Sequence, residues 1–209
     1  MSMRATVRLA APVAALAFLL TVTACGGSGG GPSSGGDNLL ENPSAEQNVD
    51  GYTGHNATVS QDTTTASEGK ASVKVIIPDA QGAGVQVWKA DGTTMTPVTA
   101  GQTYQFSLDV KGDAGKSVRM EVLWHSSEGG FLETSLGPIL FLPLGSFSRT
   151  EFSATAPENA GLAVPQLVTD AAPGQTVTVW LDNVRFVQTS GSSSPAATAS
   201  PAANTSPTP

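Results

Sequence analysis

The chain has 209 residues, three tryptophans, one cysteine and a formal charge of −7. All 17 acids and eight of the ten bases fall between Asp37 and Gln188, so this 152-residue block alone carries −9. That acidity excludes a basic nucleic-acid groove and the lone cysteine excludes an intrachain disulfide; the block can bury one core unaided but is too short for a multidomain enzyme.

In chain order, residues 1–24 come first. They hold Arg4, Arg8 and no acid, then an apolar run from Leu9 to Val22 and the small residues Thr23 and Ala24. This pattern predicts a secretory signal peptide, since the run is shorter than the roughly 20 residues that span a bilayer. Val22-Thr23-Ala24-Cys25 resembles the bacterial lipobox. That resemblance implies lipidation of Cys25 and a protein anchored at the extracellular face of the cell membrane, within the envelope. The alternative is an ordinary signal peptide cut nearby, leaving an exposed thiol in an oxidising compartment. Residues 25–36 are the lipidated cysteine and a Gly/Ser-rich linker with seven glycines, a flexible tether about 20 Å end to end on random-coil scaling.

From Asp37 the pattern changes to alternation. Thr103 to Lys111 places Tyr104, Phe106, Leu108 and Val110 on one parity and polar residues on the other. Val118, Met120, Val122 and Trp124 repeat this after a turn at Gly112-Asp-Ala-Gly115. Further strands are expected at Ala71 to Ile77, Gly84 to Lys89, Phe147 to Ala154, Leu162 to Val168 and Thr176 to Val187. Pro173-Gly174 and Asp91-Gly92 punctuate them, and no segment of the block shows a sustained helical period. Many short strands with one apolar face predict an all-β antiparallel β-sandwich or jelly roll over 37–188. In the last strand Val177, Val179 and Leu181 share one parity, whereas Val184 and Phe186 share the other with Asp182. A bulge near Leu181 to Asn183 reconciles them and puts Asp182 where a carboxylate needs a partner or a cation. Residues 189–209 contain only Thr, Ser, Gly, Pro, Ala and Asn, a composition expected to be disordered and suited to O-glycosylated stalks.

Five short segments in order, Asn38 to Glu46, Glu68 to Val75, Ala100 to Ser107, Ala156 to Ala160 and Val179 to Val184, resemble carbohydrate-binding modules of families four, nine and twenty-two, associated with cellulases and xylanases. The resemblance implies a galactose-binding-like jelly roll and a structural Ca²⁺ between the first and last strands. Its ligands would be the carboxylates of Glu46 and Asp182 with oxygens of Ser44, Ser67 and Lys70, a hard-oxygen set that Ca²⁺ accepts. The alternative is that Glu46 is a solvated turn acid and Asp182 pairs with a base such as Arg185.

The resemblance also implies a polysaccharide as ligand. Sugar rings are held by an aromatic face together with amides and carboxylates for the hydroxyls. By parity Trp88 points away from the core and is the expected platform, Trp124 points inward, and Trp180, beside the parity slip, is left open. Gln86, Gln105, Asp109, Arg119, Glu121 and His125 are the polar candidates; the alternative is that such residues are the solvated face of a sandwich. Catalysis is not expected. Glu121 with Glu133 or Asp109 is the best glycosidase pair, His55 and His125 are the only histidines, and neither a nucleophile elbow nor zinc spacing occurs. The expected protein is a monomeric, membrane-tethered, non-catalytic polysaccharide binder. The alternative is an envelope structural or protein-interaction domain that kept the fold without sugar binding.

Overall fold

Alternating side chains bury one row per strand and leave the other outside, so two such sheets face to face close a core about 10 Å thick. The computed structural model describes residues 36–112, 117–141, 145–169, 174 and 176–189. Residues 1–24, expected to be a signal peptide, Cys25, most of the linker, the tail beyond Thr189 and most of the turn after Gly112 lie outside the described residues. Among those described there is no helix. The strands are β1 (Tyr52–His55), β2 (Thr58–Asp62), β3 (Ser72–Ile77), β4 (Gly84–Val87), β5 (Thr96–Pro97), β6 (Thr103–Gly112), β7 (Ser117–Ser126), β8 (Phe131–Phe141), β9 (Ser148–Thr155), β10 (Ala160–Thr169) and β11 (Val177–Gln188).

The first sheet runs β1-β4-β10-β7-β8 with β5 paired to β10, and the second runs β2-β3-β11-β6-β9. Every strand pairing among the described residues is antiparallel, and the fold is a jelly-roll sandwich. β6 and β7, adjacent in the chain, therefore lie in different sheets. Their inward rows, Tyr104 to Val110 and Val118 to Trp124, are buried in one core. Tyr104 stacks on Phe186 with centroids 5.2 Å apart, and Trp124 leans on Tyr104 at 6.0 Å. The buried Trp124 indole donates from Nε1 to Ser135 Oγ at 2.8 Å, so its N–H does not go unpaired.

The expected bulge is present. The β11 register shifts between Asp182 and Arg185, and Asn183 has φ +47°. Val177, Val179 and Leu181 before it, and Val184 and Phe186 after it, are thereby all buried. Asn38 ties the start of the sandwich to its end: its Oδ1 accepts from Phe186 N at 2.9 Å and its Nδ2 donates to Val184 O at 3.1 Å.

Four strands were not foreseen. β1 and β2 are short and largely polar, and β5 is a two-residue pairing. β8 has eleven residues but no buried row, because it is an edge strand whose register against β7 shifts twice. Each shift scrambles the alternation that would reveal a strand.

Candidate functional site

β7 buries its even-numbered side chains, so Arg119, Glu121, Leu123 and His125 stand on the outer face of the first sheet. The register brings β10 and β4 alongside: Glu121 lies opposite Gln166, and Gln166 opposite Gln86. The three side chains form a directed ladder. Gln86 Nε2 donates to Gln166 Oε1 at 3.1 Å, and Gln166 Nε2 donates to Glu121 Oε2 at 2.7 Å. With Gln166's amide orientation set from both sides, its neighbours meet any ligand with defined donors and acceptors. Strand β4 approaches closely here because position 84 is glycine; a Cβ there would stand 2.0 Å from the Leu167 carbonyl oxygen. Arg119, Glu121, Leu136 and Gln166 line a shallow groove of about 300 Å³.

Four of the seven residues expected to bind sugar lie on this face: Gln86, Arg119, Glu121 and His125. Gln105 and Asp109 do not join them, because β6 belongs to the second sheet and its polar row faces the opposite side of the sandwich. Asp109 instead accepts from Ser67 Oγ at 2.5 Å and pairs with Arg149 at 3.2 Å. Trp88, just past β4, is half-buried with its Nε1 buried and unpartnered, so it is not the open platform expected. The exposed aromatic rings of this face are Phe131, set edge-on to His125 at 5.7 Å, and Phe141. Gln166 was missed, although a lone amide in the apolar run Leu162 to Val168 is a readable signal.

At the other candidate centre Asp182 is fully buried. Its Oδ2 accepts from the backbone N–H groups of Ser67 (2.7 Å) and Glu68 (2.9 Å), and its Oδ1 from that of Asn183 (2.7 Å). Glu46 Oε1 accepts from Lys70 N at 3.0 Å and Ala71 N at 3.2 Å. The loop can lie this close because Gly69 has φ +70°, and a Cβ there would be 2.2 Å from Glu46 Oε1. Glu46 is exposed at a bend, as the alternative had it, and clamps a loop; Asp182 is held by amides, with Arg185 uninvolved in these bonds. Ser67 and Lys70 direct N–H donors, not oxygens, at the two carboxylates, and Ser67 Oγ is turned to Asp109. The donors that these residues turn towards the two carboxylates are N–H groups, whereas Ca²⁺ takes oxygens, so this donor set as arranged does not fit Ca²⁺. Burial, and then the Asp182 charge, push the Tyr52 phenol well above its usual range; its hydroxyl donates to Asn42 O at 2.8 Å.

Trp180 stands on the outer face of the second sheet between the Lys111 and Lys74 ammonium groups, 5.2 and 5.8 Å from its ring centre. Its Nε1 donates to Asp62 Oδ2 at 2.8 Å. Hydrogen bonds from the Thr64 hydroxyl, from Trp180 and from the Thr64 amide hold Asp62 down at about 2. A depressed carboxylate contributes stability that is complete above its unfolded pKa and lost as pH falls through the folded one. Trp180 fluorescence is therefore expected to change with a midpoint near pH 2, a signal absent in Trp180→Phe; a midpoint at the ordinary 3.8 would show that these bonds do not hold the charge.

Neither a protein-family model nor a curated protein matches the chain. Solved structures do. The CBM22-1 xylan-binding domain of Paenibacillus barcinonensis Xyn10C is 17% identical over 77% of this chain and 99% of its own, with a TM-score of 0.60. The CBM22-1-GH10 modules of Clostridium thermocellum xylanase 10B, solved with xylohexaose, are 18% identical over 74% of this chain, with a TM-score of 0.59. Only 29% of that chain is covered. A family 16 carbohydrate-binding module is 21% identical over 72% of this chain and 99% of its own, with a TM-score of 0.52. The likeness is one of fold, the antiparallel jelly-roll sandwich.

Proposed function

We propose, for a sandwich that shares its fold with carbohydrate-binding modules, that the outer face of its first sheet binds a polysaccharide without catalysing any change in it. The observation that carries this reading is the ladder Gln86 to Gln166 to Glu121, whose last two members line a groove. It offers amide and carboxylate groups, with Arg119 beside them, in the fixed orientations that sugar hydroxyls require. Xylan and xylohexaose, the ligands of the structural neighbours, are the first to try. A glycan array probed with the full chain tests the reading: retention of a polysaccharide is expected, and an array on which nothing is retained would overturn it.

The acids support binding over hydrolysis. Glu133 lies opposite inward-facing Trp124, on the other side of the sheet from Glu121, and Asp109 is in the other sheet. No two of them can flank one glycosidic bond in the way glycoside hydrolysis requires.

The groove is presented, on this reading, by a monomer tethered to the outer face of the cell membrane through a lipid on Cys25. Metabolic labelling with a fatty-acid probe is expected to mark the wild-type chain and not Cys25→Ala; label that survives the substitution would remove the anchor.

A further inference from the structure

The outer face of the first sheet is not uniformly polar. Of the six large apolar side chains exposed among the described residues, five lie on β8. The register sets four of them in its outward row: Phe131 opposite His125, Leu136 opposite Glu121, Ile139 opposite Arg119 and Phe141 opposite Ser117. Side chains directly opposite on neighbouring antiparallel strands have Cβ atoms about 5 Å apart. Leu136, 62% exposed, and Ile139, 41% exposed, therefore stand beside the charged groups of the groove, and Leu136 is part of its lining.

We infer that the polysaccharide is an O-acylated one, its hydroxyls on the Glu121 and Arg119 side and its ester-borne acyl groups on Leu136 and Ile139. This rests on the groove reading above and narrows its ligand. A bare pyranose offers C–H faces that suit aromatic rings, yet the rings on β8 stand at its two ends. At the level of the charges the apolar partners are aliphatic. Such a side chain beside a carboxylate and a guanidinium matches a ligand that carries hydroxyls and a short hydrocarbon group within the width of one sugar. The row is continuous with the groove. The chain beyond Thr189, lacking any large apolar residue, has nothing with which to cover it.

The test compares binding of the full chain to acetylated xylan and to the same polymer after alkaline deacetylation. The acetylated form is expected to bind more tightly, by about fourfold for each acyl carbon buried. In Leu136→Ser/Ile139→Ser that preference is expected to vanish, the two polymers then binding equally, with the melting temperature unchanged because both side chains are exposed. Equal binding of the two polymers by the wild type, or a preference that survives the double substitution, would overturn the inference and leave the groove reading standing. Failure to bind either polymer, with no glycan retained on the array, would overturn both. Sedimentation of the same samples covers the other occupant: a dimer dissolved by the double substitution would assign the row to a second copy of the chain, against the acyl reading.

Discussion

Asp182→Ala is expected to destabilise the protein by about 3–5 kcal/mol, lowering the melting temperature by about 10–15 °C for a domain of this size. The Asp182 carboxylate is fully buried and accepts three backbone N–H groups, two from the 67–68 loop and one from the bulge in β11. Hydrogen bonds to a charged group contribute about 1.5–3 kcal/mol each, and orphaned buried donors cost about 1–3 kcal/mol each; loop relaxation and water entry reduce their sum to the range given. Since domains are stable by only about 5–15 kcal/mol, a large share is lost. Asp182→Asn, which keeps one acceptor oxygen, is expected to lie between the two. Equilibrium unfolding in urea measures all three. Repeating it in added Ca²⁺ and in chelator is expected to leave the wild-type midpoint unmoved, because the amides already offset the charge. A midpoint that drops in chelator would restore the metal.

Glu121→Ala is expected to weaken polysaccharide binding by roughly 10- to 100-fold with little loss of stability, measured by titration calorimetry on the full chain. Glu121 is the terminal acceptor of the ladder and it lines the groove. Its removal deletes an ionised acceptor and frees the Gln166 amide to turn. The outward position of its side chain keeps the structural cost small. Glu121→Gln can still accept from Gln166 and should retain part of the affinity. Were affinity unaffected by Glu121→Ala but reduced by Arg149→Ala, the binding face would be that of the second sheet, where Arg149 meets Asp109 and Ser107.

How far the sequence could be read is clearest strand by strand. β6 and β7 were legible because each buries one full row against the core, so period two carries through from Thr103 to Gly112 and from Ser117 to Ser126 despite a buried Ser107 and an outward Leu123. β8 was not, because an edge strand without a buried row has no reason to alternate and its bulges shift what parity remains. The missed strand carries five of the six exposed large apolar side chains among the described residues. Trp124 was placed correctly by parity. Trp88 was not fully anticipated, since its position just past a strand end is decided by the packing of the loop around it.

Composition and periodicity by themselves determined the acidic 152-residue block, its all-β character, the inward rows, the bulge at Asp182 and the burial of that carboxylate. These depend on which side of its own strand each residue faces, a property local to the chain. Which sheet a strand joins was decided only by tertiary structure. That choice separated Gln105 and Asp109 from Glu121 and brought Gln86 and Gln166 to it from strands distant in the chain. Alternation reports two faces per strand, whereas a sandwich has two sheets, and the assignment of strands to sheets rests on long-range pairing that no local pattern encodes.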